Sequence, residues 1–191
     1  MRTLACCLLS LSLVLLVGGS LRAETITRSI DDVAYINDGE GAVRVLFRIP
    51  NAIPEGRVAI GTAVLTIPLA APYPEKEVHL QAHPILTDWS AGSVQWDSGW
   101  ERPGGDFHPE IYARAIVHCD RSPQRVSLDV TSLLNAQLDG LETHGIILTV
   151  APYQGLGLRA NSQTAMLSRL GQATLEVTYR HLPEPPARVR H

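Results

Sequence analysis

The sequence predicts an all-β fold, an antiparallel jelly roll or β-sandwich with one short helix. Three observations predict it. Wherever the chain is apolar it alternates with period two, the mark of strands with one buried face. Clusters of Gly, Pro, Asn and Asp punctuate these runs at short intervals. Only TSLLNAQLDG, from residue 131, has helical spacing. About eight to ten short strands with such connections build a sandwich or jelly roll.

The elements follow in chain order. In AVRVLFRIP, Val43, Val45, Phe47 and Ile49 share one face, while Arg44 and Arg48 look the other way. GTAVLTIPL aligns Ala63, Leu65, Ile67 and Leu69. EVHLQAH buries Val78, Leu80 and Ala82. IYARAIV offers Ile111, Ala113, Ala115 and Val117, and RVSLDV offers Val126, Leu128 and Val130. The helix follows, with Asp129 or Thr131 placed to cap it. GIILTV and ATLEVTY close the series, the latter turning Leu175, Val177 and Tyr179 inward. The turns are NDGEG, PNAIPEG, APYPEK, DSGWERPGGD, DRSPQ, LDG and YQGLG.

The ends of the chain differ from this pattern. Residues 1–23 have the form of a secretory signal peptide: Arg2, an apolar run too short to span a bilayer, then GGSLRA with a cut after Ala23. A lipoprotein anchor is the rival, but Cys6 and Cys7 precede the apolar run instead of following it. One domain is expected over 24–180 and a disordered Pro- and Arg-rich tail over 181–191. The expected product is secreted, periplasmic or on the cell surface, with no membrane span after cleavage.

Loss of the leader removes Arg2 and Arg22 from the 16 Lys and Arg and none of the 19 Asp and Glu, taking the net charge from −3 to −5. That balance argues against nucleic acid as a partner. Cys119 then stands alone, so no internal disulfide supports the core. His118 adjoins it, but neighbours along a strand point to opposite faces and make no catalytic dyad.

Several stretches together resemble the DNRLRE-domain family. AVRVLFRIPNAIPEGRVAIGTAVLTI resembles its opening strand, proline-containing turn and second strand. DWSAGSVQW is similar to its Trp-x-x-Gly-Ser-Val-x-Trp block, and GWERPGGDF to the Gly-Gly-Asp segment after it. VSLDVTSLL and ATLEVTY resemble its Asp-Val-Thr before a short helix and its closing strand. The resemblance covers about residues 33–179 and implies a jelly-roll module similar to carbohydrate-binding modules, non-catalytic, some of whose members bind acidic polysaccharides such as alginate. A single domain without a partner module is expected here, and LRANSQTAMLSRLG follows the family only loosely.

The chemistry-bearing residues fall into four groups. His79 and His83, four apart on a strand, lie about 13 Å apart, too far to share a zinc ion. With Glu77 and Gln81 they form a polar outer face, a solvated sheet surface or a ligand-binding one. Asp106, His108 and Glu110 project to one side of an extended segment. Asp97, Asp106 and Glu110, with the Gly104 and Gly105 carbonyls, are a candidate oxygen set for calcium; tight turns demand the same residues. Asp88, Asp97, Glu101 and Asp106 are the acids a glycosidase would need, and His108 with Tyr112 the pair a lyase would need. Nothing in their spacing shows convergence.

The last group is the tryptophans. Aromatics are 5% of the chain, yet Trp89, Trp96 and Trp100 all lie in DWSAGSVQWDSGWERPGGDF. Trp89 and Trp96 read as lids on the open end of the sandwich, each N–H bonded to a loop carbonyl. Trp100, among Gly, Glu and Arg, reads as the exposed ring. The expected function is therefore a secreted, non-catalytic module binding a polysaccharide or cell-envelope glycan through Trp100, Arg102, Asp106 and His108. A structural or adhesion module without a small ligand is the alternative, and a polysaccharide lyase or hydrolase the third. No cofactor is implied beyond the calcium candidate.

Overall fold

The computed structural model of the protein describes residues 22–70, 77–118, 124–152 and 164–183. Residues 1–21 of the expected leader, with Cys6 and Cys7, then Cys119, the tail from residue 184 and the first part of LRANSQTAMLSRLG lie outside the described residues. Nine strands are present among the described residues: β1 (Glu24–Ser29), β2 (Asp31–Asn37), β3 (Val43–Arg48), β4 (Val58–Leu69), β5 (Glu77–Pro84), β6 (Ala113–His118), β7 (Gln124–Asp129), β8 (Ile146–Pro152) and β9 (Thr174–His181). The last ends one residue beyond the expected domain boundary at 180.

The strands form two antiparallel sheets. One has the order β1-β9-β4-β7, the other β2-β3-β8-β5-β6. From β6 onward each step in sequence crosses to the opposite sheet, so strands adjacent in space are seldom adjacent in sequence. With β2 set aside as an added edge strand, the two four-stranded orders are those of a jelly roll. The all-β sandwich expected from the sequence is the fold. The hairpin from β2 to β3 is organised by Asp38, whose Oδ1 accepts the N–H groups of Glu40, Gly41 and Ala42 at 2.8, 2.8 and 2.9 Å.

The main core lies between the sheets, and the alternating residues supply it. Val45, Phe47, Ala63, Leu65, Ile67, Leu80, Leu128, Leu175 and Val177 are fully buried within it. Each large apolar side chain so buried contributes about 1.5–3 kcal/mol. The helix α1 (Thr131–Leu138) closes one end with Leu133 and Leu134. Its entry differs from expectation. Val130 occupies the N-cap position without a side-chain bond, while Asp129 Oδ1 accepts the Thr131 N–H at 3.0 Å from one residue outside. The Thr131 hydroxyl instead accepts the Ala63 N–H of β4 at 2.8 Å, tying helix to sheet. A second helical segment was not expected: a 3₁₀ turn, Leu170–Gln172, buries Leu170 just before β9.

The outer face of the five-stranded sheet departs most from the expected alternation. Leu46, between Arg44 and Arg48, is fully buried. Its partners across the ladder are Ala34 on β2 and Ile147 on β8, and Ile147 in turn pairs with His83 on β5. All are buried, so this sheet has an apolar row on its outward side as well. A second core forms there from Ala34, Ile36, Leu46, Ile85, Trp89 and Ile147.

Ile147→Ala tests the second core. On an outward sheet face, truncation ordinarily changes stability by about 0.5 kcal/mol or less; here it is expected to cost about 2–5 kcal/mol, as in a true core. Urea denaturation of the two proteins measures the difference.

Candidate functional site

The long connection from β5 to β6, residues 85–112, folds back over the outward row. Two contacts close its ends beside β5: Leu86 N–H donates to the Asp106 carbonyl at 2.9 Å within the connection, and His108 N–H to that of Pro84, the last residue of β5, at 3.0 Å. Phe107 thereby pairs with Ile85 and prolongs the sheet. Val94, Trp96, Trp100 and Phe107 pack down onto the second core from above. The segment is a flap, and its aromatic content is the apolar underside that a flap needs.

Two arginines of β3 grip this flap on either side of Leu46. The Arg44 guanidinium lies 4.8 Å from the Trp96 ring centre and 5.1 Å from that of Phe107, and donates to the Gly104 carbonyl. The backbone comes so close here that a Cβ on Gly104 would lie 2.5 Å from Arg44 and 2.9 Å from Trp96, and its φ of +86° also requires glycine. Arg48 lies 4.5 Å from the Trp89 ring centre. It donates to the Trp89 carbonyl at 2.6 Å, to Asp88 at 2.7 Å and to Asp32 at 3.0 Å. Stacking of this kind contributes about 0.5–2 kcal/mol per pair, the more so when desolvated.

The tryptophans divide as follows. Trp89 is buried, and its indole N–H donates to the His144 carbonyl at 2.9 Å. Trp96 is partly buried beneath the flap against Arg44. Both therefore cover a core, though on the outer sheet face and not at the open end of the sandwich. Trp100 is also partly buried, its N–H donating to the Gln95 carbonyl at 2.8 Å, so the ring expected to be free is held on one edge.

The four residues expected to bind ligand do not act as one site. Asp106 is buried. Its Oδ2 accepts the Glu101 N–H at 2.8 Å and the Thr87 hydroxyl at 3.0 Å, and its Oδ1 the Arg102 N–H at 3.0 Å. Burial alone would raise its pKa, but those bonds and the Arg102 charge outweigh burial and hold the carboxyl below its usual range. His108 is equally occupied: its Nδ1 accepts the N–H groups of Glu110 and Ile111 at 3.3 and 3.2 Å. Arg102 is exposed, and Trp100 keeps part of its solvent access.

Nor are the calcium candidates brought together. Asp97 and Glu110 are exposed while Asp106 spends its oxygens on the flap. Among the described residues no group of three or more His, Cys, Asp or Glu is placed to hold a metal. His83 also departs from the polar outer face assigned to it. It is buried beneath Phe107, ring centres 4.7 Å apart, with Nδ1 3.1 Å from the His108 carbonyl. Burial, chiefly, lowers its pKa. The Glu77 side chain lies outside the described residues.

Two open depressions adjoin the flap. A shallow one of about 350 Å³ sits on the flap itself, with Trp89, Val94 and Trp100 beside Asp88, Ser90, Ser93 and Ser98. A deeper one of about 460 Å³ lies between α1, the β3–β4 connection and the segment entering β8. Its rim holds Asp32 and Asn51, the two non-glycine residues with positive φ among those described, at +47° and +52°. Sequence periodicity could not mark either depression, since both form from loops. The fold and flap define a jelly-roll sandwich with one armoured outer face. Compared with known proteins, the chain matches no protein-family model and no curated protein. No helix among the described residues is long and apolar enough to cross a membrane.

Two titrations test the flap. The Asp106 carboxylate stabilises the folded state above about pH 4, and that contribution is lost as pH falls through its lowered folded value. Asp106→Asn is expected to cost about 1–3 kcal/mol at neutral pH, because backbone donors lose an ionised acceptor. His83 works in a higher window. Its lowered pKa means that the unfolded chain takes up the proton first, so stability declines as pH falls below about 6.5. Thermal unfolding between pH 7.5 and 5 should show that decline, and His83→Gln should flatten it.

Proposed function

We propose that the protein is an exported, non-catalytic module that binds a polysaccharide or cell-envelope glycan. The observation that carries this reading is the depression on the flap, where a fixed Trp100 ring stands beside Ser90, Ser93, Ser98 and Asp88. A sugar ring has an apolar C–H face that stacks on an indole and hydroxyls that bond to hydroxyl and carboxylate groups. A ring already locked by its N–H loses little conformational freedom on binding. The DNRLRE-like motifs of the sequence and the expected leader support the same reading. Arg102, exposed on the adjoining turn, is retained as a contact; Asp106 and His108 shape the turn that carries it.

An adhesion module without a small ligand is the second reading. It is favoured by Tyr112 at the end of the flap and Ile116 on β6, exposed at 46% and 48%. A lyase or hydrolase is the third, drawing on the exposed acids Asp88, Asp97 and Glu101.

Affinity electrophoresis of the full chain in gels containing alginate, pectin or xylan separates these readings. Retardation by one glycan is expected, with Trp100→Ala weakening binding about tenfold, or 1.4 kcal/mol. If no glycan retards the protein the glycan reading fails, and product release from any of the three polymers would replace it with an enzyme.

A further inference from the structure

We propose that the deeper cavity, beside α1, is a second saccharide subsite that accepts neutral or amine-bearing sugars and rejects uronates. The proposal rests on the glycan reading and adds to it a place and a charge preference. The cavity's size, about 460 Å³, lies within the range of small-molecule sites. Its floor is apolar, from Ile49, Ala52, Ile53, Leu133, Leu134 and Ile146. Its wall adds Asn51, Gln137 and Thr143, and among the described residues no protein hydrogen bond engages these three side chains. An apolar floor with uncommitted amide and hydroxyl groups above it matches the two faces of a pyranose ring.

The charges at the mouth give the preference. Asp31, Asp32 and Arg48 line the cavity, and His144 stands beside them. Arg48 is already engaged by Asp32 and Asp88 and stacked on Trp89. His144 lies 3.7 Å from Asp88 and 3.8 Å from Glu142. Two carboxylates, Asp31 and Asp32, therefore line the mouth, and Arg48 beside them is already held by Asp32 and Asp88, so among the described lining residues an incoming uronate carboxylate meets a net negative charge. An ammonium group meets Asp31 and Asp32 favourably, and a neutral ring meets no penalty.

The two depressions also adjoin. Asp88 borders the one on the flap and bonds to Arg48, which borders the other. An oligosaccharide stacked on Trp100 that crosses this ion pair enters the cavity beside α1.

Calorimetric titration of the full chain with length-matched oligomers of glucosamine, N-acetylglucosamine, glucose and a uronate tests the proposal. Glucosamine oligomers should bind tightest, neutral ones next, and uronates at least about tenfold more weakly than neutral ones. The preference for glucosamine should shrink as salt rises from 0.02 to about 0.15 M, where screening shortens to about 8 Å. Ala52→Trp, which fills the cavity, should weaken neutral and amine-bearing oligomers about tenfold. Gln137→Ala, on the exposed side of α1, should weaken them without disturbing the fold.

If uronates bind as tightly as the others, the charge preference is overturned. If Trp100→Ala abolishes binding while Ala52→Trp and Gln137→Ala do not alter it, the cavity is not a subsite and the glycan reading stands. If none of the oligomers binds, the subsite falls, and the glycan reading falls with it only when the gels also show no retardation.

Discussion

The outward row of the five-stranded sheet sets the constraint from which the rest of the structure follows. Strand β3 places Arg44, Leu46 and Arg48 on that side, with Leu46 flanked by Ala34 and Ile147 across the ladder. A row of that composition cannot face water without a cost of about 25 cal/mol per Å² of apolar surface. The chain covers it with its own connection between β5 and β6. The two arginines are what make the cover specific, because each offers a planar cation to one indole and hydrogen bonds to the flap backbone. Buried apolar area supplies the driving force, and the arginines fix the register in which the flap settles.

This arrangement reassigns residues that look functional in isolation. Asp106 gathers two backbone N–H groups and a hydroxyl, and His108 two further N–H groups, so both hold the return limb of the flap. Their type suits ligands, but their bonding capacity is already used. What the flap leaves to ligand chemistry is its upper surface around Trp100 and the cavity across the Asp88–Arg48 pair. Both surfaces owe their shape to the same clamp, since Arg48 is the wall between them.

The fold was legible because the inter-sheet core depends on period two alone. Ala63, Leu65, Ile67 and Leu69, or Leu175, Val177 and Tyr179, announce their burial without any knowledge of partners. The second core was not read, although its signal is present. Leu46 interrupts an otherwise charged outward face, VAYIN puts Ala34 and Ile36 on one side, and IIL in β8 is apolar on both faces. Strands apolar on both faces require a covering layer on each, and the tryptophan-rich connection is the segment long enough to provide one. The site itself was the least legible part. Its residues come from loops whose side-chain directions depend on turns, and spacing along the chain cannot tell a carboxylate that binds its own backbone from one that waits for a ligand.

Hydrogen exchange at the indole N–H groups, followed by NMR, tests the clamped flap most directly. The account predicts a strongly protected Trp89 N–H, bonded to the His144 carbonyl within the buried cluster, and a measurably protected Trp100 N–H, bonded to the Gln95 carbonyl. Arg48→Met should release the Trp89 signal toward the rate of a free indole. If both signals exchange at unprotected rates in the wild-type protein, the tryptophan segment is not folded onto the sheet and the account is wrong.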